Sequence, residues 1–421
     1  MAIAAVPAYL GKDFSTASPG LRFGMYLPLW GVESRTGELL WTTHDVNYRA
    51  TGPQNLERRF DDKNKTAALG NALRLNANDL ATLAALARRQ SALAAPIAAQ
   101  GALLAWHALA IAPFTTGLGN EHPLENGFAF LNPYGLPYLP GSGVKGVLRQ
   151  AARELADHLW GDDQGWNEAA VTALFGKAGQ NGDDAAADGD NDAGFQRGAL
   201  TFWDVIPQIE GDALKVEVMT PHQSHYYQNG DTPHESGQPN PINFLTVPPK
   251  SKFAFHVQCD LPFLARLAPW LALDSRWQQL VTAALTHAFE WLGFGAKTAV
   301  GYGAMAADSA RQSQVDNDRA NAEREAKRES MRPSQLSIED FTQAMQARTE
   351  QLKGGKDKPN TEFHQRAQKL AKTALDGADW TPAEKSAAAD AIEAWLPKVV
   401  QLPDVKDALK KLKLRALRGL V

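Results

Sequence analysis

The sequence of 421 residues predicts an α+β protein that ends in an all-helical extension. Three observations carry this expectation. Glycine and proline punctuation is concentrated between about Gly101 and Asp308, where strand-like and helix-like periods alternate. Two segments in that stretch repeat the three-four apolar spacing of a helix buried on one face. Beyond Asp308 the chain becomes polar, mixes both charge signs, and then reads as helix alone.

Residues 1–100 form an N-terminal extension. It opens on Pro- and aromatic-rich sequence, SPGLRFGMYLPLWG, and ends in the helical run LNANDLATLAALARRQSALAAPI. Residues 101–308 hold the main domain. ALLAWHALAIAPF reads as its first strand, and LPGSGVKGVLRQAARELADHLW begins a helix. Val144, Val147, Leu148, Ala151, Ala152, Leu155 and Leu159 fall on one face of that helix.

GALTFWDVIPQI and ALKVEVMTPH follow as two strands, and FLTVPPKSKFAFHVQCDL reads as an added hairpin. A second helix, RWQQLVTAALTHAFEWL, repeats the buried stripe through Trp277, Leu280, Val281, Ala284, Leu285 and Ala288. A last strand lies in the second half of GFGAKTAVGYGAM. The order β-α-β-β-(β-β)-α-β is a ferredoxin-like (RRM-like) core with insertions. Residues 309–333 read as a charged linker or helix, and 334–421 as a helical domain. In the latter, Thr381-Pro382-Ala383-Glu384 is a capping box with Pro at the first helical position. The acidic insertion at 178–194 lacks large apolar groups to offset the entropy of ordering. QNGDTPHESGQPNP reads as a second loop insertion.

A formal net charge of −4 excludes a protein that coats nucleic acid by bulk charge, but leaves room for a local basic groove. Cys259 is the single cysteine, so neither an internal disulfide nor a thiolate-rich metal site can form. No basic-then-apolar leader and no membrane-length apolar run is present, which predicts a cytoplasmic protein without membrane contact.

Two motifs bear on chemistry. In Gly293-Phe294-Gly295-Ala296-Lys297-Thr298-Ala299-Val300-Gly301-Tyr302-Gly303, two G-x-G units flank a five-residue spacer between helix and strand. Exposed amides, Lys297 and the Thr298 hydroxyl suit a phosphate, and a tight structural turn is the competing reading. The helix-then-strand order excludes a dinucleotide-binding loop. In PYLPGSGVKGVLR, Ser142 is placed to cap a helix, and Lys145, Arg149 and Arg153 recur every fourth residue as a basic stripe. A solvated charged face is the alternative.

PYLPGSGVKGVLR resembles the "IPGSSLKG-LR" signature of the RAMP (repeat-associated mysterious protein) superfamily of CRISPR systems, with Gly143 in place of one signature serine. GFGAKTAVGYGAM resembles that superfamily's C-terminal glycine-rich loop. Together with ALTFWDVIPQI, KVEVMTPHQSHYYQ and PNPINFLTVPPKSKFAF, these segments are similar to the sixth-subunit family of the type III-B Cmr effector complex, over roughly Thr115 to Ala306.

The resemblance implies a non-catalytic antiviral-defence subunit that binds guide (CRISPR) RNA near its 3′ part and the paired target RNA, beside other RAMP subunits. The RNA-binding residues it implies are Gly141, Ser142, Lys145, Arg149, Gly293, Gly295, Lys297, Thr298, Gly301 and Gly303. The family core does not reach the C-terminal helical region.

His222, His225 and Tyr227, in PHQSHYY, read as RNA or partner contacts. This H-x-x-H lacks the Glu of a helical H-E-x-x-H frame, so no metal and no cofactor is expected. The alternative is a RAMP endoribonuclease that processes CRISPR precursor RNA, for which His107, His122, Asp204 and His222 are the candidate groups. The basic end, KDALKKLKLRALRGL, reads as a solvated amphipathic helix.

Overall fold

The computed structural model describes residues 3–32, 36, 39–41, 45–50, 56–61, 68–124, 126–158, 163–177, 196–220, 232, 241–352 and 354–419. The acidic insertion and the segment with His222, His225 and Tyr227 lie outside the described residues. The chain divides into two compact units, 1–312 and 313–421.

In the first unit, helix α1 (Ala77–Ala99) starts at Asn76, whose side chain and that of Asp79 form a reciprocal capping box. Strand β1 (Leu103–Ala110) follows, then helix α2 (Gly141–Ala156), α3 (Glu168–Phe175) and β2 (Leu200–Phe202). Next come β3 (Lys215–Met219), β4 (Ile242–Thr246), β5 (Lys252–Cys259), α4 (Arg276–His287) and β6 (Met305–Ala307).

The main sheet runs β2-β5-β1-β6, every neighbour antiparallel. Its register pairs Leu200 with Cys259, Ala254 with His107 and Met305 with Ala110. Strand alternation places Phe253, Phe255 and Val257 on one face, where they are buried with the stripes of α2 and α4. The α2 stripe is Val144, Leu148, Ala151, Ala152 and Leu155, and that of α4 is Trp277, Leu280, Val281, Ala284 and Leu285. Both are the stripes the spacing predicts. Val147 is only half-buried, and Leu159 lies outside the described residues.

The expected hairpin over residues 244–258 does not form. β4 instead pairs with β3, Glu217 opposite Phe244, as a separate two-stranded ribbon, and β5 enters the sheet alone. Pro248 and Pro249 offer no amide to a hairpin ladder, and Val247 before them pairs with Phe114. The inserted ribbon is therefore 215–219 with 242–246, earlier in the chain than expected.

The first hundred residues share the core of this unit. Phe23, Leu27, Leu69, Leu75 and Leu83 are buried in the same cluster as the sheet. The buried Arg22 guanidinium ties this region together by donating to the carbonyls of Ala17, Asn71 and Arg74.

The second unit contains most of helix α5 (Ser309–Glu329), then α6 (Pro333–Gln351), α7 (Glu362–Asp376), α8 (Pro382–Val399), α9 (Val405–Lys411) and α10 (Leu414–Leu417). Phe341, Met345, Leu370, Ile392, Leu396 and Leu417 form its own core. The capping box at Thr381 and Glu384 forms, with Thr381 N–H donating to Glu384 Oε2 at 2.9 Å. Among the described residues, no helix is long and apolar enough to cross a membrane.

Candidate RNA interface

The glycine loop begins at a change of helical type. After His287 the chain makes a π-turn over Ala288–Leu292, closed by Gly293 N–H donating to Ala288 O at 2.8 Å. The loop then folds onto the segment after β1. Ala296 N–H donates to Thr115 O, Gly303 N–H to Pro113 O, and Phe294 N–H to Gly303 O, at 2.8, 2.8 and 2.9 Å. Glycine is required at 295 and 303: both have positive φ, and a Cβ would run into the Thr115 and Phe294 carbonyls. Gly301, with φ of +94°, stands in open space, and Gly293 backs onto Thr298 and Gly303.

Lys297 lies half-buried at the centre of this loop, with φ of +60°. Its Nζ is 3.4 Å from Met219 Sδ and 5.3 Å from the centroid of the Phe244 ring. Tyr302 closes the same cluster, its ring edge-on to Phe244 at 5.3 Å. Burial, with nearby Glu217 as the second cause, pushes the Tyr302 phenol above its ordinary range. The ribbon β3–β4 is thus bonded to the glycine loop, and Lys297 sits at the foot of the segment that leaves Met219. That segment carries His222, His225 and Tyr227.

The second motif is placed differently from the sequence reading. The N-cap of α2 is Pro140, and Ser142 is an exposed residue of the first turn. The cap comes from the sheet: Asp204 Oδ1 accepts from Gly141 N–H at 2.7 Å. Gly143 and Val144 N–H both donate to Pro140 O. A carboxylate already occupies this helix end, so it is not an open anion site. Gly141 is pressed against the Phe202 and Trp203 backbone, where a side chain would not fit.

Arg149 turns inward and donates from Nη2 to Gly176 O at 3.1 Å, so it does not extend the basic stripe outward. Lys145 stays half-buried, and Arg153 is exposed. Among the described residues, neither Lys145 nor Lys297 has a carboxylate within ion-pair distance. The two motifs belong to neighbouring elements, since α2 packs against α4 and against the turn 288–292 that leads into the glycine loop.

One feature escaped the sequence reading. On the sheet face opposite α2 and α4, where an RRM-like sheet can stack bases, α1 is tied to the segment that follows β2. Gln208, opposite Lys252 on that face, donates from Nε2 to Leu83 O at 3.2 Å, and Gln90 donates to Asp204 O at 2.7 Å. His256, on the same face, is buried, and burial together with nearby His107 lowers its pKa to about 4. The available signal was the amphipathic run 77–99, too long to be an idle extension of a sheet whose strands show polar groups on alternate positions.

The histidine candidates are embedded. His122 stacks on Phe23 with centroids 3.8 Å apart. Its Nδ1 accepts from Leu124 N–H and its Nε2 lies 2.9 Å from Phe23 O, which assigns the Nε2–H tautomer and engages both ring nitrogens. Burial lowers its pKa. His107 is half-buried in β1. Burial raises the Cys259 thiol to about 12, which keeps it protonated and unreactive. Among the described residues no group of three His, Cys, Asp or Glu could hold a metal ion.

Residues 108–306 match the model of the RAMP superfamily, a span that holds both glycine motifs and all of the sheet except residues 103–107 and Ala307. Over that span the chain is similar to the RAMP superfamily. A curated relative is the CRISPR system Cmr subunit Cmr6 of Pyrococcus furiosus, 29% identical over 240 residues. The alignment covers 45% of this chain and 63% of the length of that relative.

Among solved structures, the crystal structure of Cmr6 from Pyrococcus furiosus aligns over 49% of this chain and 97% of that one, at 24% identity and a TM-score of 0.27. A cryo-EM structure of the type III-B Cmr-beta bound to cognate target RNA aligns over 49% and 58%, at 19% identity and a TM-score of 0.33.

Proposed function

We propose that the chain is a non-catalytic, RNA-binding structural subunit of a type III-B CRISPR (Cmr) effector complex, acting in the cytoplasm in antiviral defence. In this reading the RAMP domain is ferredoxin-like, a reading supported by its β2-β5-β1-β6 strand order around two helices. It holds the 3′ part of the guide RNA and the paired target, and it docks on neighbouring RAMP subunits.

The observation that carries the reading is the placement of Lys297. A half-buried cation rests on sulfur and a ring rather than on a carboxylate, inside a glycine loop, at the foot of the histidine- and tyrosine-bearing segment. A cation so held loses little freedom when it takes up a phosphate oxygen. Lys145 on the adjacent helix is the second backbone contact. The engaged nitrogens of His122 and the capping role of Asp204 weigh against the endoribonuclease alternative.

Reconstitution with and without Lys297→Glu tests this. The variant is expected to retain guide RNA about five- to tenfold less tightly, with assembly otherwise normal. Equal RNA content in the two preparations would refute the assignment. Metal-independent cutting of a CRISPR repeat hairpin by the isolated chain, lost on His107→Ala or His122→Ala, would establish the nuclease instead.

A further inference from the structure

Helix α7 of the second unit has a groove along each side. On one side His364, Gln368, Lys372 and Asp376, four apart and hence in one stripe, face α9 across a cavity of about 720 Å³. Its apolar lining is Ala371, Leu375, Leu402, Ala408 and Leu412. On the other side Arg366, Lys369 and Thr373 border a cavity of about 370 Å³ toward α6, over Phe341 and Leu370.

The charges on these walls are not evenly engaged. Asp340 takes Arg328 at 2.7 Å, Asp407 takes Lys411 at 2.8 Å, and Asp404 accepts the Asp407 amide as the cap of α9. Arg366 is held by Glu362. Among the described residues, Lys369, Lys372 and Lys413 have no carboxylate within ion-pair distance, and of the acids on the two walls only Asp376 is unengaged. His364 Nδ1 accepts from Asn360 N–H at 3.0 Å, which leaves the Nε2–H of the neutral ring as a further donor on the larger groove.

We infer that α7 and its grooves dock an acidic amphipathic helix of a partner protein, with apolar side chains on Ala371, Leu375 and Leu412 and carboxylates on Lys369, Lys372 and Lys413. Three unengaged cations against one carboxylate call for a negative occupant. The apolar lining selects peptide over nucleic acid. Phe341, the one phenyl or indole ring on these walls, is buried, so neither groove offers a ring on which a base could stack. From His364 to Asp376 the stripe is about 18 Å long, room for a helix of three turns laid along the groove. The surface lies outside the span 108–306 and is independent of the RNA contact proposed for the first unit.

The test is binding of the full chain to a labelled synthetic helix of about three turns, a leucine stripe flanked by glutamates, read by fluorescence anisotropy. Lys372→Glu and Lys369→Glu are each expected to weaken binding by about fivefold, and raised salt to weaken it further. An unshifted thermal melt of each variant would show the fold intact. The same peptide with lysine for glutamate, or serine for leucine, should not bind. Equal binding of either control peptide, or no binding of the glutamate peptide at about 1 mM, overturns the inference. So does an affinity unmoved by the two substitutions together, which would put the peptide elsewhere on the chain. Single-stranded RNA that displaces the glutamate peptide and is itself weakened by the same substitutions assigns the surface to nucleic acid instead.

Discussion

At the scale of single residues, His256 shows what burying a polar group in the sheet costs. Its ring is buried, tilted against Trp203 with centroids 5.3 Å apart, and leaves Nδ1 without a hydrogen-bond partner among the described residues. The folded chain holds it neutral down to about pH 4, whereas the unfolded chain takes up the proton near 6.5. Stability from this group is therefore complete above 6.5 and is lost as pH falls from there towards 4. At about 1.4 kcal/mol per unit, the loss reaches roughly 3 kcal/mol.

Urea unfolding at pH 7.5 and 4.5 checks this. His256→Phe should show a smaller acid-induced drop than the unmodified chain, while His122 titrates equally in both. Equal drops would show that His256 is reached by water. Nothing in the local sequence around His256 announces this burial, because alternation along β5 marks His256 as a solvent-facing position. Glycines 295 and 303, by contrast, stand out in the spacing of the loop, although what demands glycine at 295 is the distant Thr115 carbonyl.

At the scale of elements, legibility follows sequence separation. The stripes of α2 and α4 and the capping box at Thr381 are local patterns, and each forms where the spacing places it. The β3–β4 pairing and the cap of α2 depend on residues far away in the chain. Ser142 fits the local capping preference, but Asp204, contributed by the sheet edge, takes the amide of Gly141. The two readings separate in energy. Asp204→Ala is expected to cost about 1 kcal/mol, the usual worth of a carboxylate cap at a positively polarised helix end. Ser142→Ala at an exposed first-turn position should change stability by less than about 0.5 kcal/mol. Denaturant midpoints of the two variants decide the matter, and a larger loss from Ser142→Ala would restore the local cap.

At the scale of the whole molecule, charge is divided between the units. Residues 313–421 carry 20 Lys and Arg against 17 Asp and Glu, which leaves 23 against 30 for residues 1–312. The unit with the glycine loop is thus acidic overall, so the RNA contact proposed for it does not draw on a diffuse positive field. Of the predicted contact residues, Arg149 is turned inward, Asp204 fills the helix end of α2, and only Lys145 and Lys297 remain as contact cations.

Two phosphate contacts to a single strand imply a slope of log affinity against log salt near −1.4. Titration of labelled single-stranded RNA with the isolated chain between about 50 and 200 mM salt measures it. Lys297→Glu should bring the slope close to −0.7. A slope of −4 or steeper would mean that many more cations meet the backbone, placing the contact surface on the basic unit 313–421. A shallow slope carries its own consequence: tight retention of a guide must then come from neighbouring subunits closing on the same strand.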